Sequence, residues 1–222
     1  MNSVRRLCVV WTVLLAGCWA CGESKTVTVE LDTTAAPELR EWGEQAKALV
    51  EEWYPRIVNL IPTKGFEPPT EVKITLRKSD RGIADTAGAH IRVSSGWIEK
   101  RPEDIGLVFH ELVHVIQNYG PTRQGWLVEG IADYLRWAIY EAKPLSWFAL
   151  PNRPDGYRQG YQVTAGFLLW LESDRAPGIV NKLNTALRNK NYSDELFESE
   201  TGLDLDALWA AYQQERAEKS TD

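Results

Sequence analysis

The sequence has 222 residues, with 31 acidic and 25 basic side chains and a formal net charge of −6 at pH 7. An acidic chain without a basic stripe has no means of displacing counterions from a phosphate backbone, which argues against nucleic acid as a partner. All three cysteines fall within the first 21 residues, so the rest is expected to hold together without disulfides and to bind no metal through thiolates.

The chain opens with Arg5 and Arg6, a mostly apolar run over residues 7–15, and then Leu15-Ala16-Gly17-Cys18. A basic region, a short apolar core and small residues in that order make a targeting segment, too short to span a membrane as a stable helix. It is expected to be a bacterial lipoprotein signal peptide over residues 1–17, cut before Cys18, which takes the lipid; Cys21 is the lesser anchor candidate. The protein is then expected to be exported to the cell envelope and held at the membrane through that lipid alone, as a monomer. Residues 18–25 read as a tether. Residues 26–222 read as one α+β unit of ample size for a core, with a small sheet and the active-site helix over 26–118 and a mostly helical part over 119–222.

Period-two alternation predicts strands over 26–32 and 72–76, separated by a helix over 37–61 that Pro55 is expected to kink or divide. Residues 79–88 read as loop or a ragged hairpin, with Asp80 and Gly82 as turn residues. A third strand over 89–94 is either an ordinary central strand or one at the sheet edge beside the cleft, where an extended peptide could add as a further strand. Its residue His90 is expected to pack or face solvent. Ser94-Ser95-Gly96 should break this strand. Pro102-Glu103-Asp104 then suits the start of a helix running to Asn118 and ended by Gly120-Pro121. Further helices are predicted over 127–142, 159–173, 178–189, 193–201 (capped by Ser193) and 204–219. The loop over 145–157, rich in proline and aromatic residues, is expected to line a substrate cleft.

The helix predicted to run from Pro102 to Asn118 carries His110-Glu111-Leu112-Val113-His114 between apolar flanks. Residues four apart share a helical face, so His110 and His114 can bind one metal ion, and zinc suits neutral imidazole. Glu111 follows the first ligand and can act as general base toward a water on the metal. The third ligand follows by elimination. No cysteine is at hand, His90 lies upstream, and no further histidine follows His114. In the next helix Glu129 and Asp133 share a face inside an apolar run, where unpaired charge is costly. Glu129 is assigned as the third ligand and Asp133 as the acceptor of a ligand histidine N–H; the reverse assignment stays open. Should an attack by metal-bound water build an oxyanion, Tyr161 is the candidate donor to it, with Arg158, Tyr157 and Tyr134 behind it.

The segments His110–Gln117, Trp126–Tyr134 and Gly160–Leu168, read together, resemble the basic secretory protein family, over about residues 70 to 215. The resemblance implies a zincin-like α+β fold, one zinc ion per chain and hydrolysis of peptide or protein substrates. Two features depart from the family: the chain is acidic, and Gly166 follows Thr164-Ala165 where relatives often carry a bulkier residue. A reading from another class is a surface-anchored binding lipoprotein with a structural or vestigial zinc site. Glu111 speaks against it, since a structural site has no need of a base.

Overall fold

The computed structural model describes residues 26–219. The expected signal peptide, the Cys18 anchor and the tether over 18–25 lie outside the described residues. The chain is a mixed α+β structure: a four-stranded sheet with a helix packed on it, followed by a mostly helical part.

Strand β1 (Thr28–Asp32) leads through helix α1 (Arg40–Leu60) into β2 (Glu71–Arg77), which pairs parallel to β1. Helix α1 buries Trp42, Ala46, Leu49, Val50, Tyr54 and Ile57 against the sheet and the later helix over Gly106–Gln117. Pro55 lies inside α1 and does not divide it. A proline removes one intrahelical donor, and the buried Tyr54 and Ile57 on either side of it hold the helix to the core.

Strands β3 (Ala84–Ala87) and β4 (His90–Ser94) form an antiparallel hairpin turned at Gly88, whose φ of 60° suits glycine. The sheet order is β1-β2-β4-β3. Of the two placements open to the 89–94 strand, β4 takes the internal one, parallel to β2. The strand at the edge beyond β4 is β3, inside the stretch read as loop or a ragged hairpin. Strand β4 buries Ile91 and Val93 and so belongs in the middle, whereas Ala84-Asp85-Thr86-Ala87 buries nothing and suits an edge.

Ser94-Ser95-Gly96 does not simply end β4; it turns directly into the short helix α2 (Ser95–Lys100). Helix α3 (Gly106–Gln117) starts later than predicted and ends at Asn118, which adopts the left-handed φ of 39°. Pro102–Asp104 is a turn, and Asp104 serves as the partner of Trp97 and Arg136. Helix α4 (Gly125–Asp133) continues as a π-helical segment, Tyr134–Tyr140. Helix α5 (Tyr161–Trp170) continues the same way over Leu171–Arg175. The remaining helices are α6 (Ile179–Arg188), α7 (Glu195–Thr201) and α8 (Leu205–Glu218). Ser193 does not cap α7, which begins after Asp194 without a side-chain cap. Asp204 does cap α8, accepting from the Ala207 N–H at 2.7 Å.

The loop over 145–157 contributes nothing to the cleft lining and instead straps α8. Trp209 Nε1 donates to the Arg153 carbonyl at 2.7 Å, Gln213 Nε2 to that of Pro151 at 2.9 Å and Arg216 Nη2 to that of Phe148 at 3.0 Å. Of its aromatic residues, Phe148 and Tyr157 are buried in the core, while Trp147 stays exposed. Phe148 also explains Gly166: a Cβ there would stand 2.5 Å from the Phe148 Cβ. Helices α4 and α5 meet closely at Gly130, where a Cβ would stand 2.2 Å from Thr164 Cγ2. Among the described residues the sheet, α1 and the C-terminal helices share one continuous apolar core, and α3 lies inside it.

Candidate metal centre

Helix α3 is apolar on nearly every side, because it is packed between α1, β3 and the π-helical segment that follows α4. His110, Glu111, His114 and Gln117 are the polar groups on the stretch of α3 that lines the cleft. The Nε2 atoms of His110 and His114 stand 3.0 Å apart. Glu129 Oε2, from α4, lies 3.2 Å from the first and 3.3 Å from the second. Asp133 does not join them. Its Oδ1 accepts the Nδ1–H of His110 at 2.7 Å, as expected of the residue that orients a ligand. The Nδ1–H of His114 donates likewise to Gln117 Oε1 at 2.7 Å, and Gln117 Nε2 donates to the Val128 carbonyl at 3.0 Å.

With both Nδ1 atoms committed as donors, each neutral imidazole turns the Nε2 lone pair inward. Two lone pairs and a carboxylate oxygen facing one another demand a cation. A tetrahedral ion with arms of about 2.0–2.1 Å separates its ligand atoms by about 3.3 Å, close to the separations here. Without a metal the same place is filled by a proton. Burial disfavours an imidazolium at His110, but hydrogen bonds to Asp133 and Glu129 outweigh that penalty and raise it to about 9. Burial likewise works against the Glu129 carboxylate, yet hydrogen bonds from His110 and His114 lower it to about 2. His110, His114 and Glu129 thus form a cluster able to hold a metal ion.

These groups sit in a cleft of about 820 Å³ between α3, α4 and the edge strand β3. Glu111 is 8% exposed and lines it. Thr86 of β3 donates its hydroxyl to Glu111 Oε2 at 2.7 Å, tying the carboxylate to the sheet. Tyr161 also lines the cleft, at the first residue of α5. Its ring is nearly parallel to that of His110 at 6.5 Å, it is 57% exposed, and its φ is 48°. A tyrosine held in left-handed backbone is strained, a condition that clusters at functional sites. Chiefly the negative charge of Glu129 keeps the Tyr161 hydroxyl protonated above the ordinary range.

The other oxyanion candidates are elsewhere. Arg158 pairs with Asp194, Tyr157 donates to Asp206 Oδ1 at 2.5 Å, and Tyr134 is buried away from the cleft lining. His90 meets Thr75 Oγ1 at 2.9 Å on the sheet, apart from the cluster. Gln117 and Thr86 were not anticipated. Gln117 stands three residues after His114, a helical spacing that could have revealed it. Thr86 carries no such signal, because sheet order alone brings it to Glu111.

No curated protein matches the chain, and no solved structure matches it. A family model described as "Peptidase of plants and bacteria" matches residues 25–212, which include the whole cluster and the cleft. The chain belongs to this family of peptidases, BSP.

Proposed function

We propose that the chain is a zinc-dependent peptidase, with zinc held by His110, His114 and Glu129 and with Glu111 as general base. The carrying observation is the convergence of three ligand atoms within 3.3 Å, with both imidazoles oriented from behind by Asp133 and Gln117. Two histidines and a glutamate are a donor set typical of catalytic zinc, which leaves a coordination place for water. A zinc ion held by these residues would supply Lewis-acid chemistry toward water and a substrate carbonyl. Glu111 accepts the proton from the attacking water at its carboxylate and delivers it to the leaving amine. Thr86 holds one oxygen of that carboxylate, so the base is fixed before substrate arrives. The Tyr161 hydroxyl, kept protonated, donates to the carbonyl oxygen as negative charge builds on it. The unpaired edge of β3, antiparallel to β4, offers backbone groups to an extended peptide along the cleft. On the sequence of residues 1–18, this chemistry takes place at the cell envelope of a bacterium, with the domain tethered by lipid at Cys18.

The test is elemental analysis of the purified domain together with a peptide-cleavage assay. About one zinc per chain, and cleavage that stops with a chelator and returns with zinc, are the expected outcomes. A folded chain that takes up no zinc, or a zinc-loaded chain that cleaves no peptide, overturns the reading.

A further inference from the structure

The cleft does not end at the metal ligands. A second cavity of about 630 Å³ adjoins it toward the first turn of α3, and Ile83, Arg136 and Trp137 line both spaces. The inner walls are aromatic and aliphatic, from Trp97, Ile105 and Tyr140. Ile83, at the shared mouth, is 44% exposed, a large apolar side chain left uncovered beside a site that must bind a peptide. Leu107 lines the cleft one helical turn before His110.

Trp137 is held as a rigid wall. The Arg136 guanidinium lies 3.8 Å from the centre of its ring, and Trp147 packs against it at 4.7 Å. Arg136 is fixed in turn by Asp104 and by Glu141 at 3.1 Å. Charge at the cavity is two cations (Arg101, Arg136) against three carboxylates (Glu103, Asp104, Glu141), a net of −1. Three carboxylates against two cations disfavour an acidic side chain there. A neutral ring or branched chain buries apolar area against a pre-formed surface, which loses little rotamer freedom on binding.

We infer that this second cavity is the specificity subsite of the peptidase. A peptide laid along β3 places a large apolar or aromatic side chain past Ile83 and Leu107 against Trp137, and the enzyme selects substrates that carry one. The inference rests on the proposed peptidase reading and names its substrate class.

The experiment compares peptides identical except for Phe, Ala or Glu at each position in turn, cut by the zinc-loaded chain and by two variants. Trp137→Ala removes the wall. Ile83→Asp charges the mouth at an exposed position and guards against a packing defect in the first variant. At one position near the cleaved bond, kcat/KM is expected to favour Phe over Ala by about tenfold to a hundredfold, and over Glu by more. Both variants should shrink the Phe-to-Ala ratio at that position to within about threefold of one. Equal cleavage at every position, or a preference that survives both variants, overturns the subsite. If the wild type cuts none of the peptides, the hydrolytic reading fails instead. The subsite is then read from peptide binding to zinc-loaded Glu111→Gln, where the same preference must appear in Kd and vanish in Trp137→Ala; equal binding of the Phe and Ala peptides overturns it.

Discussion

At the scale of single residues, His110, His114 and Glu129 converge as a cluster able to hold a metal ion, and Glu111 lines the same cleft beside them. Glu111 touches Thr86 and lies outside the three-atom cluster. Glu111→Ala should therefore leave zinc content at about one per chain while lowering kcat/KM by about a hundredfold to ten-thousandfold, the range for loss of a positioned acid–base group. A variant that keeps its turnover removes Glu111 from the mechanism. Residues behind the ligands act through them. Asp133→Asn and Gln117→Ala should each weaken zinc binding by about tenfold to a hundredfold, and Glu129→Ala should weaken it more than either. Competition with a chelator of known affinity ranks the three, and the order Asp133 above Glu129 exchanges their roles. His110, His114, Glu129 and Asp133 were all legible in the sequence because the pairs within each helix are four residues apart, a relation the backbone imposes locally. Tyr161 was legible as a candidate but not as a strained, exposed side chain, since its φ is set by the turn at Gly160.

At the scale of elements, the site depends on how closely α4 approaches α5. Gly130 stands in the same turn of α4 as Glu129, and the absence of its side chain admits Thr164. Gly130→Ala forces a methyl group into an occupied space and should destabilise the fold by about 1–3 kcal/mol, as overpacking does. Chemical denaturation measures it. Adding Thr164→Ser, which deletes the clashing methyl but keeps the hydroxyl that donates to the Tyr157 carbonyl at 2.6 Å, should recover part of the loss. No recovery means the strain lies elsewhere than in the α4–α5 contact. Elements with strong periodicity, such as α1 and the strands β2 and β4, were readable from the sequence. Their neighbours were not. Ala84-Asp85-Thr86-Ala87 lacks the apolar alternation that marks a strand, and it becomes one because β4 offers it an edge. The 145–157 loop looked like a cleft wall by composition, yet its carbonyls are claimed by α8.

At the scale of the whole molecule, the cluster links protons, metal and folding. In the metal-free chain His110 is raised from 6.5 to about 9. A raised value means the folded state holds a proton that the unfolded chain releases. That contribution is complete below pH about 6.5 and is lost as the pH climbs through about 9. Glu129, lowered to about 2, contributes with the opposite sign: its share is present above its ordinary value of 4.5 and fades as the pH falls toward 2. A metal ion must expel the His110 proton, so zinc binding should strengthen by up to about tenfold for each pH unit between 6.5 and 9, with one proton released per zinc. In the same window the metal-free chain loses stability and the zinc-bound chain, which has no such proton to lose, does not. The difference in Tm between the two should therefore widen steadily from pH 6.5 to 9, and calorimetry with and without zinc measures it directly. A difference that stays constant across that range would mean that zinc displaces no proton and does not occupy the place between His110 and Glu129.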